Sequence, residues 1–406
     1  MIDSFFVISI MKFIDSTIRE LGDGTIDYLE NGDRIFKLHS YSKNPIIRPQ
    51  NLNSFWYEDG KLRIGAIFNG GATLFNNKII LVPRSQKEYQ RGRFFDESMN
   101  VVKFEFKNYI SKIWILISED GINFHRYKKG VIRGDGRTHN DFLYGIEDMR
   151  IIKTKQRYWL IGCGKVIPPF QGFSDNRGDR MAIYSTLNFE EIQYHGIIKD
   201  LDIRNTVFFP EAVSGKYYIF LRFDNSIHLD ILEAGMDQLH SPTKYDKLWR
   251  KIYDRREQSK LLETKKYLHE KEKIGPGPPP IKTSKGWLVI YHAVGEIGNL
   301  LIQSYGISDK IPRCYTICAV VLDLHDPSKI LCRTKYPLYI PSYPWELYGN
   351  LEYPIDIPVV TFPTGIIVKN NKILLYCGSG DKYIVLLSAR LDYLLDYLWK
   401  ECRLTD

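Results

Sequence analysis

Carboxylates, arginines and amides cluster at the heads of apolar runs in this chain. GIEDMR (145–150) sets Glu147 and Asp148 side by side, two residues ahead of Arg150. Neighbouring side chains of an extended strand point to opposite faces. One of the two carboxylates is therefore expected to face a shared cavity while the other braces the loop, with Arg150 fixing that loop through a carboxylate pair. RNTVFFPE (204–211) supplies Arg204, Asn205 and Glu211, and Arg222 lies inside the apolar IFLRF (219–223). An arginine in such a run needs an anion or a carboxylate to be buried. KIGPGPPPIKT (273–283) places Lys273 before a rigid Gly/Pro loop, and His292 ends WLVIYH (287–292). YPWELYG (343–349) brings Glu346 and GSGD (378–381) brings Asp381. Singly, each has an ordinary reading: an Asp beside an Arg is commonly a structural ion pair, and a strand-end His a satisfied one. Together they describe a site for a sugar and an anion, because planar Arg forks suit phosphate oxygens. The chain carries no metal-ligand spacing, Ser-His-Asp order, phosphate loop or dinucleotide fingerprint.

The elements that must hold these residues recur five times. A polar turn followed by a strand-forming run appears as NNKIILVPR (76–84), KQRYWLIGCG (155–164), SGKYYIFLRF (214–223), SKGWLVIYHA (284–293) and NNKILLYCGSG (370–380), the pattern of a hairpin. Each is preceded by another strand with a loop at its head, and SEDGINF (118–124) reads as the turn of an outer hairpin. Five such units, arranged radially, predict an all-β five-bladed β-propeller, in which equivalent positions converge on one funnel. A decorated β-sandwich is the competing fold. Arg84, Arg222 and His292 hold one repeat position in three units, so three basic groups are expected at one level, joined by Lys273 and Arg204. Residues 1–40 read as a helical extension and 41–392 as the propeller. Within it, 239–273 is rich in helix formers and predicts a helical insertion. Residues 393–406 form a C-terminal tail. Appended helices can cover an edge, cap the funnel or hold a homo-oligomer together.

The totals agree with this reading. The chain has 406 residues, 44% apolar and 14% aromatic, enough for a large core. A net charge of +8 is mild at this length. The basic residues converge inside a funnel instead of forming a stripe, which argues against nucleic acid. Six cysteines in apolar contexts, without a regular framework, read as reduced thiols. Phe5–Ile10 is apolar but breaks at Lys12, far short of a membrane span. It lacks a basic n-region and a cleavage site, and Met11 opens a natural-looking start. A cytoplasmic protein with no membrane partner is expected.

The motifs also carry a resemblance. From NPIIRP (44–49) to Arg390 the chain resembles glycoside hydrolase family 130, the β-mannoside phosphorylases and β-mannosidases. GIEDMR is similar to the family's acid-bearing signature and KIGPGPPPIKTSKGWLVIYHAV (273–294) to its longest hallmark. LDLHDPSKIL (322–331), FPTG (362–365) and GSGD match its closing motifs. The resemblance implies a propeller that inverts the anomeric centre, with Asp148 as general acid acting through the mannosyl 3-hydroxyl. It implies phosphate binding by Arg204, Asn205, Arg222, Lys273 and His292, and sugar binding by Asn69, Arg84, Glu346 and Asp381. Inorganic phosphate would be co-substrate, with no cofactor and no metal, and the product α-mannose 1-phosphate. Met149 stands where the family usually has proline, and NGGATLF (69–75), 86–108 and 239–273 diverge, so acceptor identity does not transfer. A hydrolase on the same fold, with glutamates activating water, is the alternative; Glu211 would serve only if it reached the funnel. A silent glycan-binding propeller is the alternative of another class.

Overall fold

The computed structural model describes residues 15–96, 101–169 and 177–404. Its strands are joined by turns that the sequence marks. Asn76-Asn77 (φ 47° and 60°) and Asn370-Asn371 (φ 50° and 60°) are left-handed pairs, the backbone that closes a two-residue hairpin without splaying its strands and that Asn tolerates better than most residues. In SEDGINF, Asp120 Oδ1 accepts from the backbone N–H groups of Ile122 and Asn123 at 2.9 and 2.8 Å and turns the outer hairpin of the first sheet.

Five antiparallel sheets follow one another along the chain and form the five blades of a propeller. Blade 1 runs outward through Ala66–Phe75, Lys78–Gln86, Lys112–Ser118 and His125–Ile132, and blade 2 through Ile146–Lys153, Tyr158–Lys165, Asp179–Thr186 and Gln193–Ile197. Blade 3 comprises Arg204–Phe208, Tyr218–Arg222, Ile227–Ile231 and Lys260–Leu262. In blade 4, Lys273–Pro276 and Ile281–Thr283 both pair with Gly286–Gly295, followed by Cys314–Leu322 and Ile330–Arg333. Blade 5 is Thr361–Lys369, Lys372–Ser379 and Tyr383–Arg390, completed by His39–Ser40 from the other end of the chain. That last pairing closes the ring.

The second strand of each blade is buried on both faces, which explains why it is a largely continuous apolar run. Ile79 and Leu81 pack into the core between blades 5 and 1, while Ile80 and Val82 pack into the core between blades 1 and 2. The remaining blade contacts repeat this wedge. At the centre the inner strands meet backbone to backbone: a Cβ on Gly71 would lie 2.7–2.8 Å from the main chain of Met149, Arg150 and Ile151. Only glycine allows that approach.

Outside the blades the structure departs from the sequence reading in three places. Residues 15–20 are helical, but Thr25–Tyr28 and Arg34–Lys37 form a hairpin, so the expected 1–40 extension is only partly helical; residues 1–14 lie outside the described part. The expected helical insertion at 239–273 is helical over Asp246–Asp254, which buries Trp249 and Ile252. Lys260–Leu262 instead becomes the outer strand of blade 3, because Ile227 offers an open edge to Leu262. The expected 393–406 tail is mostly the helix Leu391–Glu401, whose Leu394, Leu395, Tyr397 and Leu398 pack into the core between blades 4 and 5. All six cysteines are free and buried, and among the described residues no helix is long and apolar enough to cross a membrane.

Candidate active site

A bulge recurs in the inner strands, and it builds the site. In blades 1, 2 and 3 the pairing with the second strand slips after Phe68, Glu147 and Arg204. The next residue in each case, Asn69 (φ 52°), Asp148 (φ 50°) and Asn205 (φ 55°), takes a left-handed backbone. A bulge leaves one residue unpaired and re-aims its side chain; here all three are turned into one cavity. Opposite the residue before the slip stand Arg84 (facing Phe68) and Arg222 (facing Arg204), whereas in blade 4 His292 faces Gly275 within a regular ladder. The expected shared repeat position is therefore a shared register for Arg84 and Arg222, but not for His292, so two of the three basic groups and not all three stand at one level of the cavity.

The bulge also overturns the expected division of labour between the two carboxylates. Alternation fails at Asp148, and Glu147 and Asp148 both turn toward the same two guanidinium groups. Arg84 donates to Glu147 Oε1 at 2.9 Å and Asp148 Oδ1 at 3.1 Å. Arg204 donates to Glu147 Oε2 at 2.9 Å and Asp148 Oδ2 at 2.8 Å, and reaches Asp179 Oδ2 at 3.4 Å. Asn69 Nδ2 adds a bond of 2.9 Å to Asp148 Oδ1. Gly378 makes room for it, since a Cβ there would lie 1.9 Å from Asn69 Oδ1. Arg150 does not form the expected carboxylate pair. Fully buried, it donates to the carbonyl of Asp148 and, at 3.3 Å each, to the carbonyls of Gly277 and Pro276. It ties the Asp148 bulge to the Gly/Pro loop of blade 4. Burial works against a charged Asp148, but Arg204, Arg84 and Arg150 override it and hold the carboxyl well below the usual range.

Across the cavity the balance is reversed. Arg222 is buried and has no ion-pair or hydrogen-bond partner among the described residues; burial, then Arg204 and Arg177, bring its guanidinium down to about 10. Lys273 is pushed down by burial and lies 4.7 Å over the Tyr315 ring. Burial raises the Tyr315 phenol, but Lys273 and Arg313 outweigh it and bring the group to about 8. Both amide atoms of Asn205 are buried without a partner. Buried polar groups left unpaired are costly and call for a ligand or an ion. Asp381, in the left-handed turn Gly380-Asp381, faces the cavity on the blade 5 side; burial raises its carboxyl to about 7 despite Arg84.

The cavity measures about 570 Å³ and is lined by seven cationic side chains and four carboxylates, a volume ordinary for a small-molecule site. Of the residues singled out in the sequence, Asn69, Arg84, Asp148, Arg204, Asn205, Arg222, Lys273 and Asp381 line it. His292 and Glu346 do not. The imidazole of His292 is fully buried, packed against Gly275 and 4.4 Å from the Phe362 ring, with both nitrogens unpartnered. Burial, then Arg222 and Lys273, hold it neutral. Glu346 spends its carboxylate on Tyr339 Oη (2.9 Å), the backbone N–H of Ser342 (3.0 Å) and Ser379 Oγ (3.2 Å), and so braces the loop beneath the floor. Glu211 is half-buried beside a separate cavity with Thr154 and Tyr217, and is paired with Lys282.

Sequence reasoning missed Lys165, Asp179, Arg177, Arg313 and Tyr315, which also line the cavity. They stand where second strands pass into third strands, most plainly at the Lys165–Asp179 ion pair of blade 2. The one available signal was parity: Lys165 lies two residues beyond Cys163, which faces Glu147, and so shares its side of the strand.

Comparison with known proteins meets this geometry independently. The family model for beta-1,4-mannooligosaccharide phosphorylase, glycoside hydrolase family 130, matches residues 41–400. A 1,2-beta-oligomannan phosphorylase of Thermoanaerobacter sp. (strain X514) is 29% identical over 326 residues, covering 76% of this chain and 94% of that protein. A beta-1,2-mannobiose phosphorylase of the same organism is 28% identical over 351 residues, 86% of this chain and 96% of its own. Among solved structures, beta-1,2-mannobiose phosphorylase from Listeria innocua, in complex with beta-1,2-mannobiose, superposes with a TM-score of 0.62 at 21% identity, over 89% of this chain and 99% of that one.

Proposed function

The chain belongs to glycoside hydrolase family 130, and from that premise we propose that it is an inverting β-mannoside phosphorylase. It transfers the non-reducing mannosyl unit of a β-mannoside to inorganic phosphate, giving α-mannose 1-phosphate and the shortened acceptor. Asp148 is the general acid, and Arg204, Asn205, Arg222 and Lys273 seat phosphate, with His292 behind them as a neutral wall. Asn69, Arg84 and Asp381 hold the mannosyl unit, and Glu346 positions the floor under it.

The observation that carries this reading is the set of buried cations and amides without carboxylate partners, facing Asp148 across one cavity. A hydrolase must activate water with a second carboxylate. Glu147 is held by two arginines, Asp179 by Lys165 and Arg204, and Glu211 is elsewhere. A phosphorylase needs only a seat for an anion that is already a nucleophile. It also suits a carboxyl that Arg204, Arg84 and Arg150 hold as an anion, because a general acid there needs a partner that relieves this stabilisation. Phosphate draws Arg204 and Arg222 onto its oxygens, the opposing charge lifts the stabilisation, and Asp148 takes up the proton it must donate. That proton passes through the mannosyl 3-hydroxyl to the glycosidic oxygen while a phosphate oxygen bonds to the anomeric carbon from the opposite face.

The relatives aligned over most of this chain are named for β-1,2 linkages, and the family description for β-1,4; the relatives favour β-1,2. A cytoplasmic setting suits the product, since phosphorolysis keeps the bond energy as a sugar phosphate. The test is to incubate the protein with β-1,2- and β-1,4-mannobiose, with and without inorganic phosphate, and to resolve the products. Phosphate-dependent mannose 1-phosphate from one disaccharide is expected; free mannose released equally without phosphate would make the protein a hydrolase.

A further inference from the structure

Blade 4 differs from its neighbours where its second strand turns back. The corresponding turn is residues 380–382 in blade 5 and 223–226 in blade 3, but residues 296–313 in blade 4, with a helix over Asn299–Ser304. Ile297, Leu301, Ile302 and Ile307 of this segment are buried, so it packs as a built part of the fold. Between it and the segment 347–359 lies a second cavity of about 310 Å³, near the lower end of the size range of small-ligand sites. The two cavities share Arg313 and Ile357 as a common wall.

We propose that this groove is an acceptor subsite for oligosaccharides, taking a sugar ring beyond the two that flank the cleaved bond; the inference rests on the mannoside phosphorylase reading. Its chemistry suits a pyranose better than a protein side chain or a free anion. Leu347, Ile311, Pro358 and Val359 offer an apolar floor for C–H faces. Tyr348, 62% exposed, stands over it as an aromatic platform, and its hydroxyl is bonded to Asp309 across the groove. That bond joins the segment 296–313 to the short helix Pro344–Leu347 and holds the ring in place without a ligand. Arg313, anchored by Glu272 at 2.9 Å, stands at the boundary of the two cavities with donors for hydroxyl groups. An aromatic face with a fixed polar handle is the side chain suited to a surface that is apolar on one side and hydrated on the other.

The experiment compares phosphorolysis of a mannobiose and the mannotetraose of the same linkage by the wild type, Tyr348→Ala and Asp309→Ala. In both variants the ratio of kcat/KM for the tetrasaccharide to that for the disaccharide is expected to fall about fivefold, the order of an aromatic contact. An unchanged ratio overturns the inference, whether both activities fall together or neither moves. A changed oligomeric state on size exclusion with an unchanged ratio overturns it in favour of contact between copies of the chain. If the wild type makes no mannose 1-phosphate from either length, the phosphorylase reading itself has failed and the groove falls with it.

Discussion

Around Glu147 and Asp148, Arg84 and Arg204 each bond both carboxylates at 2.8–3.1 Å, whereas Arg222, Lys273 and Asn205 face the same cavity with no carboxylate partner among the described residues. The first wall is electrostatically complete as folded. Its charges were compensated when the blades assembled, so it is rigid before any substrate arrives, the condition for holding reacting groups within a narrow range of geometry. The second wall is incomplete. Desolvating cations without partners is unfavourable, and a fold keeps such a wall when a ligand supplies the missing charge. On the phosphorylase reading the contrast divides the labour of one funnel: the paired wall positions the sugar and its acid, the unpaired wall waits for phosphate, and Arg204, bonded to the carboxylates of the first, reaches across to the second.

The largest effect is expected on the paired wall. Asp148→Asn keeps the shape but removes the proton, and kcat should fall roughly 10²–10⁴-fold, the usual share of general acid catalysis, with circular dichroism and melting temperature near those of the wild type. A loss below about tenfold would show that another group protonates the leaving oxygen. Glu147→Gln sharpens the comparison, because it removes one of the two carboxylates shared by Arg84 and Arg204. With Arg84 and Arg204 less firmly held, kcat/KM for the mannoside should drop about tenfold, the order of one charge-assisted hydrogen bond, while KM for phosphate, which Arg204 helps to seat, rises by a smaller factor because Arg222, Lys273 and Asn205 are untouched. If phosphate KM moves more, the two walls are one network and the division fails.

A smaller, pH-dependent effect is expected at Asp381. Burial raises its carboxyl to about 7, and only the ionised form accepts two hydroxyl donors from a sugar. Protonation below that value weakens binding, so kcat/KM for the mannoside should rise with pH through about 7. In Asp381→Asn that limb should vanish and the remaining activity should be lower. Persistence of the limb in the variant would assign it to another group, such as Tyr315, whose phenol lies at about 8.

How far the site could be read from the sequence follows the geometry of the blades. Residues on a strand's regular repeat, Arg84 and Arg222, were legible because a fixed period maps to a fixed level in the ring. Asp148 and Asn205 were legible as residue types at loop heads and Asn69 only through the resemblance, but the orientation of all three was not. A bulge breaks the two-residue alternation, and nothing in GIEDMR itself says that Glu147 and Asp148 will face the same arginines. Glu346 was matched to a sugar-holding position by resemblance; only the structure reveals the donors from Tyr339, Ser342 and Ser379 that satisfy it. Lys165 and Asp179 were hidden because each is an ordinary charge at a strand end until Lys165 pairs opposite Asp179. The helix-forming composition of 239–273 was overridden at Lys260–Leu262 by an open sheet edge, a tertiary effect that local propensity does not contain.

The central claim, that the unpaired wall is the phosphate seat, is tested most directly by calorimetric titration of inorganic phosphate into the wild type and Arg222→Ala. The account predicts saturable binding to the wild type that is weakened tenfold or more in the variant, as expected for one lost charge-assisted contact, while KM for the mannoside changes little. Equal phosphate affinity in the two proteins would contradict it and leave the unpaired cations without a ligand.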